Sequence, residues 1–163
     1  VPYIYDKDMN IINELDGTYE QSAQATMVGA MDYVEQLRNS EAYDNTVLIV
    51  MSDHGYNGSL GQSGEATWMR QCALLLIKGR NEHHDTMQIS QAPISFEDLQ
   101  EAYVRLLDGR RRDEVFDWKE GDARERRFLR YSFLDDDHMQ EYIQTGYASD
   151  MDTMIPTGRE YNR

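Results

Sequence analysis

The chain has 163 residues, a length typical of a single domain that can bury a sizeable core. Hydrophobic residues make up 40% of it, too many for a disordered acidic chain, and no apolar run approaches the roughly 20 residues needed to cross a membrane. The 16 basic and 30 acidic residues give a net charge of −14, which argues against binding to nucleic-acid backbones or to anionic lipid.

The first predicted element is a helix that begins after Thr18. The stretch from Thr18 to Gln21 fits a capping box, in which each of these two side chains accepts a hydrogen bond from the backbone N–H of the other residue. We expect the helix to end at Asn39-Ser40. Between these limits, apolar residues recur at three- and four-residue steps and predict one buried helix face, formed by Ala23, Met27, Ala30, Met31, Val34 and Leu37.

Two apolar runs without polar breaks, Thr46 to Met51 and Cys72 to Ile77, predict buried strands. Continuous β-branched and aliphatic residues are typical of strands covered on both faces, as in parallel sheets, and a helix leading into such a strand is the repeating unit of an α/β fold. We therefore expect an α/β fold with a partial parallel-type sheet flanked by helices. Cys72 is the only cysteine, so the chain has no internal disulfide, and we interpret it as a small buried hydrophobe.

The next predicted element is a helix that Ser95 caps and Gly109 ends. The region from residue 1 to 109 is accordingly interpreted as the C-terminal part of an α/β catalytic domain. Residues 110–163 are interpreted as a small antiparallel subdomain. Within it we expect a hairpin and a loose tail, made of a strand from Arg127 to Leu134, a turn at Asp135 to Asp137, a strand from Tyr142 to Tyr147, and patternless residues from Asp150 onward.

The clearest chemical signal is Asp53-His54-Gly55, directly after the first predicted strand. In open α/β sheets, sites form outside the carboxyl ends of the strands. The Asp oxygen and the neutral His nitrogen together suit a divalent ion, and Gly55 gives the chain room to turn both side chains to one side. An Asp-His pair alone is also compatible with a loop Asp that caps backbone amides beside a partly exposed His.

Two other clusters have simpler explanations. His83-His84-Asp85 resembles a ligand cluster, but it lies in a polar stretch and favours solvated side chains, because metal ligands have to converge. Asp135 to Asp137 lacks the spacing of an EF-hand calcium loop, so a hairpin tip is the favoured interpretation.

The segment Tyr43 to Gly55, YDNTVLIVMSDHG, resembles the motif of the sulfatase and alkaline phosphatase superfamily in which a strand ends in Ser-Asp-His-Gly. The preceding helix, the run Cys72 to Gly79 and the stretch Ala92 to Gly109 are similar to the surrounding segments of that superfamily. The predicted hairpin is similar to the small C-terminal sheet of sulfatases and lipoteichoic-acid-synthase-like enzymes. The likeness covers roughly residues 18–148, and Ser-Asp-His-Gly is its specific part.

The resemblance implies the C-terminal part of a metal-dependent hydrolase that acts on sulfate or phosphate esters. Asp53 and His54 match two ligands of a divalent ion (Ca, Mn, Zn or Mg), which stabilises the charge that develops on the ester. Lys78 and Arg70 are weaker candidates for contacts with the substrate anion, with ordinary surface positions as the alternative.

The nucleophile of the superfamily, a Thr, Ser or formylglycine, has no match in this sequence. A formylglycine site would read Cys-x-Pro-x-Arg, whereas Cys72 is followed by Ala73-Leu74. The chain begins abruptly at Val1 without a visible signal peptide, so we expect a piece of a longer protein that is inactive alone. Its compartment stays open.

Two other functions stay open at this point. A non-catalytic binding or assembly module on the same scaffold would need no nucleophile and would bind a polyanionic sugar or a second copy of the chain. A phosphotransferase or phosphodiesterase of the same superfamily would share the Asp-His element. Because an unpaired edge of a buried-type sheet invites pairing, we also expect a homodimer through that edge.

Overall fold

The computed structural model describes residues 5–13, 16–55, 71–132 and 135–162, and these contain two α-helices and five strands. The described residues fall into two compact units. One lies within Val1–Thr46 and Arg80–Glu82, and the other within Val47–Gly79 and His83–Arg163. None of the described helices is long and apolar enough to span a membrane.

The first unit contains the long helix α1, Tyr19–Asn39. The predicted capping box is confirmed, because Gln21 N donates to Thr18 Oγ1 over 3.2 Å and Thr18 N donates to Gln21 Oε1 over 3.0 Å. These two bonds satisfy backbone donors that the first turn of a helix leaves without partners. The predicted apolar face is covered only in part: Val34 is buried, but Met31 is exposed.

In the second unit, β1 (Leu48–Met51) and β2 (Leu75–Lys78) form a two-stranded antiparallel sheet. The prediction of a parallel-type sheet is therefore wrong, since both sheets formed by the described residues are antiparallel. The apolar runs predicted that both strands pack against other apolar groups. They carried no information about the direction of the neighbouring strand, which is why the parallel assignment failed.

Helix α2, Leu99–Leu107, follows a 3₁₀ turn at Phe96–Asp98 and supplies the core of this unit. Gly109 ends the helix as predicted, with a positive φ of 85° and its N–H donating to Leu106 O over 3.1 Å. The fully buried residues Ala102 and Leu106 pack with a third buried residue from the following segment and with one face of β1 and β2. The members of this core are Ala102, Leu106 and Val115, with Val47, Ile49, Ile77 and Phe116 around them.

The C-terminal sheet consists of β3 (Arg126–Ser132), β4 (Asp135–Gln144) and β5 (Met154–Asn162), antiparallel in the order β3-β4-β5. A 3₁₀ turn at Met151–Thr153 precedes β5, and another lies earlier at Arg112–Glu114.

Two details of this region differ from the sequence-based expectation. Asp135 to Asp137 open β4 and do not form a turn, because strand pairing overrides the low strand propensity of aspartate. The tail that was expected to be loose contains β5. Its Pro156 and Gly158 disrupt the usual strand pattern, yet Pro156 pairs with Tyr142, and proline is tolerated on an edge strand.

Candidate metal centre

The site begins where β1 leaves its sheet. The register that pairs Met51 with Leu75 continues for one further step, in which Ser52 N donates to Leu74 O over 3.1 Å and Leu74 N donates to Ser52 Oγ over 2.8 Å. The chain then bends at Asp53 and His54. The pair predicted from the sequence therefore stands directly beyond the last interstrand contact of this sheet.

Hydrogen bonds fix the direction of both side chains. Asp53 Oδ1 accepts the N–H of His54 over 2.9 Å, and His54 Nδ1 lies 2.6 Å from Gly55 O. His54 Nε2 faces Asp53 Oδ2 at 3.7 Å. The Asp53 side chain is 88% exposed and the His54 side chain 40% exposed, so both the carboxylate and the imidazole ring are accessible to solvent.

The bond to Gly55 determines which nitrogen of the His54 ring can bind an ion. A carbonyl oxygen can only accept, so Nδ1 has to carry the proton in this bond. In the neutral ring, the lone pair then lies on Nε2, the atom that faces Asp53. Histidines that ligate metals show the same arrangement, in which the second ring nitrogen donates to a carbonyl or carboxylate that holds the ring in place.

The separation of these two donor atoms fits a shared ion. Two ligands about 2.1 Å from a tetrahedral zinc ion stand about 3.4 Å apart, and a slightly wider angle at the ion spans the 3.7 Å seen between Nε2 and Oδ2. A nitrogen and a carboxylate oxygen are also a donor set that zinc and manganese accept. The described residues contain no group of three or more His, Cys, Asp or Glu side chains that could hold a metal ion.

The other candidates lie elsewhere or outside the described part of the chain. Lys78 pairs with Leu48 at the end of the two-stranded sheet opposite to Asp53, and Arg70 lies outside the described residues. The roles of both in substrate binding stay predictions. His84 and Asp85 are exposed on a loop in the second unit.

Cys72 is half-buried and its thiol is tied to the protein. Its Sγ donates to Ala148 O over 2.6 Å, and burial raises the pKa of the thiol, against the opposing effect of the nearby Arg126 guanidinium. A thiol with a raised pKa is a poor nucleophile at neutral pH. The sequence suggested a small buried hydrophobe, whereas the structure has a half-buried thiol held by a hydrogen bond.

Sequence reasoning missed the contribution of Ser52. Its side chain takes the place of a backbone carbonyl in the pairing with Leu74, which lies 22 residues further along the chain. A contact between residues so far apart in sequence leaves no local pattern from which it could be predicted. The only available signal is the position of a hydroxyl residue between an apolar run and Asp53. No protein-family model, curated protein or solved structure matches this chain.

Proposed function

We propose that this chain is part of a metal-dependent hydrolase of sulfate or phosphate esters, of the sulfatase and alkaline phosphatase type, and that Asp53 and His54 are two ligands of its divalent ion. The observation that carries the proposal is the His54 ring, which donates through Nδ1 to Gly55 O and presents Nε2 beside the Asp53 carboxylate. The motif Ser-Asp-His-Gly supports the same assignment.

Each residue has a defined part in this proposal. Asp53 brings the negative charge that offsets the charge of the ion, and its Oδ1 stays bound to the N–H of His54, which limits its rotation. His54 brings a neutral nitrogen whose direction is set by Gly55. When bound, the ion would act as a Lewis acid that stabilises negative charge on the ester. The nucleophile segment of the superfamily, which carries a Thr, Ser or formylglycine, has no match in this sequence, so we expect the chain by itself to bind the ion without cleaving esters.

The test is calorimetric titration of the chain with zinc and with manganese. The chain is expected to bind one ion per molecule, weakly, because two side chains supply only part of a coordination shell. The double variant Asp53→Ala/His54→Ala is expected to lose this binding, since it lacks both donor atoms.

The chain provides its own matched control. The variant His84→Ala/Asp85→Ala removes the same two side-chain types from an exposed loop and changes the net charge equally, so it is expected to bind zinc as the unaltered chain does. Equal loss of binding in both double variants would mean that the ion is held by charge alone. Absence of binding in the unaltered chain would contradict the proposal and favour a non-catalytic binding or assembly module.

A further inference from the structure

The hydrogen bonds at the end of β1 depart from the ordinary antiparallel pattern. In a closely bonded antiparallel pair, the two residues exchange two N–H···O=C bonds. Ser52 and Leu74 make the first of these, from Ser52 N to Leu74 O over 3.1 Å. In the second, Leu74 N donates to the hydroxyl oxygen Ser52 Oγ over 2.8 Å, where a regular pair would use the carbonyl oxygen of Ser52.

This exchange of acceptor has a geometric consequence. A strand that pairs through both backbone groups has to keep its direction for the next residue, and successive side chains then point to opposite faces of the sheet. Because Oγ satisfies the N–H of Leu74, the carbonyl of Ser52 is released from the sheet and the main chain can change direction. The bend at Asp53 and His54 follows directly, and the two side chains come to face each other across 3.7 Å.

We infer that Ser52 is a positioning residue of the metal site: its hydroxyl ends β1 by taking the place of a backbone acceptor, and thereby directs Asp53 and His54 to the same ion. The inference rests on the proposed function for its metal readout. Its effect on the His54 ring does not require a metal. Ser52 acts through Leu74 and through the course of the main chain.

The experiment compares Ser52→Ala and Ser52→Thr with the unaltered chain. Without the hydroxyl, zinc affinity is expected to fall about 10- to 100-fold, the range seen when a residue that orients a ligand is removed. In the metal-free chain, long-range ¹H–¹⁵N spectra should show that the proton of the neutral His54 ring is no longer confined to Nδ1. Threonine keeps the hydroxyl and should restore both readouts.

Ser90→Ala serves as the matched control, because the Ser90 hydroxyl also accepts a backbone N–H, that of Ala92 over 3.2 Å, away from the site. This variant is expected to leave zinc affinity and the His54 ring unchanged. If Ser52→Ala keeps both the zinc affinity and the Nδ1 tautomer, Ser52 is merely structural and the inference is overturned. Loss of the readouts in Ser52→Thr would also overturn it.

The two proposals fail separately. If the unaltered chain binds no zinc, the proposed function is contradicted. The metal-free tautomer of His54 then decides the role of Ser52 by itself: a change in Ser52→Ala supports the positioning role, and an unchanged ring overturns it.

Discussion

Gln144, at the end of β4, is 2% exposed, and its side-chain amide donates to carbonyl oxygens of the loop that follows. The acceptors are Tyr147 O at 2.9 Å, Ala148 O at 3.4 Å and Asp150 O at 3.0 Å. Because these bonds satisfy both the buried amide and the main-chain carbonyls, they fix the conformation of a loop that has no regular secondary structure. At the scale of single residues, this loop and the candidate metal site are held in the same way, by a polar side chain bonded to main-chain atoms.

Gly146 lies in that loop and is expected to tolerate no side chain. A Cβ added there would stand 2.3 Å from Thr153 Cγ2 and 2.7 Å from Thr153 Oγ1. Thr153 cannot turn away without cost, because its hydroxyl donates to Asp150 O over 2.7 Å. Gly146→Ala should therefore lower the free energy of unfolding by about 1–3 kcal/mol, as overpacking does, measured by urea denaturation.

Gly29, within α1, is the contrasting case. Among the described residues, the nearest atom to a Cβ there, outside the backbone of the same helix, would be Met9 Cε at 3.8 Å. Gly29→Ala is thus expected to be neutral or stabilising by up to about 1 kcal/mol, because alanine favours the helix. Equal unfolding free energies for the two alanine variants would contradict the packing account of Gly146.

Glu141, in β4, predicts a specific pH dependence. Hydrogen bonds from Thr157 and Tyr161, with Arg159 and Arg127 nearby, hold the pKa of its carboxyl below the usual value of 4.5. A lowered pKa in the folded state contributes stability that is present above the usual value and is lost as the pH falls through the lowered pKa. The protein should therefore lose stability below about pH 4.5.

The Glu141→Gln variant should show a smaller loss over that range in urea denaturation at stepped pH, because it has no carboxyl to protonate. Glu120→Gln removes a carboxylate from an exposed turn that precedes β3 and should keep the acid dependence of the unaltered protein. An unchanged pH profile in Glu141→Gln would refute the assignment.

At the scale of elements, Arg124 joins the N-terminal end of α2 to the segment that leads into β3. Its guanidinium donates to Asp98 Oδ2 over 2.6 Å and to Pro93 O over 3.0 Å, and it lies 4.6 Å from the centre of the Trp118 ring. Asp98 also accepts the N–H of Ser95 over 2.7 Å. The side chains of Arg124 and Asp98 are 11% and 18% exposed, so this ion pair is largely withdrawn from water.

Replacing Arg124 should destabilise the protein severely. Arg124→Ala leaves the Asp98 carboxylate with little solvent and no cation, which costs about 3–5 kcal/mol in comparable buried pairs. Arg111→Ala removes an equal charge from an exposed pair with Asp113 and should cost less than about 1 kcal/mol. Thermal and urea unfolding would measure the stability of the two variants. Similar losses of stability would argue against a stabilising role for the ion pair of Arg124 with Asp98.

Only some of the helices and strands of this fold could be predicted from the sequence. The limits of α1 and the end of α2 were predictable because their signals are local: Thr18 caps α1, and Gly109 adopts the positive φ that ends α2. The start of α2 was not, because the residues after Ser95 first form a 3₁₀ turn. The direction of β2 was not, since an apolar run reveals burial and not the partner strand. β5 was missed for a related reason, because Pro156 and Gly158 hide a strand that pairing with β4 creates.

The candidate site, too, could be predicted only in its local features. Asp53 and His54 could be chosen from the sequence, because residue type and position after a strand suffice to name them. The bond from Leu74 to Ser52 and the bond from His54 to Gly55 depend on how the chain is folded. The sequence was therefore enough to select the candidate ligands Asp53 and His54, but not Ser52, the residue that we infer to position them.

At the scale of the whole molecule, the net charge of −14 affects every cation experiment. An acidic surface attracts divalent ions without binding them specifically, and this attraction weakens as salt screens it. Binding that survives about 0.15 M salt and depends on Asp53 and His54 is the specific part. A measurement that reports on one ring is thus more decisive than total metal content.

The most direct test of the metal site is a long-range ¹H–¹⁵N spectrum of the histidine rings during a zinc titration. Before zinc is added, the neutral His54 ring should carry its proton on Nδ1, where it donates to Gly55 O. Zinc should then shift the Nε2 resonance of His54, and the rings of His83, His84 and His138 should change far less. If His54 Nε2 stays unshifted while zinc binds, or if its neutral ring is protonated on Nε2, the central claim is wrong.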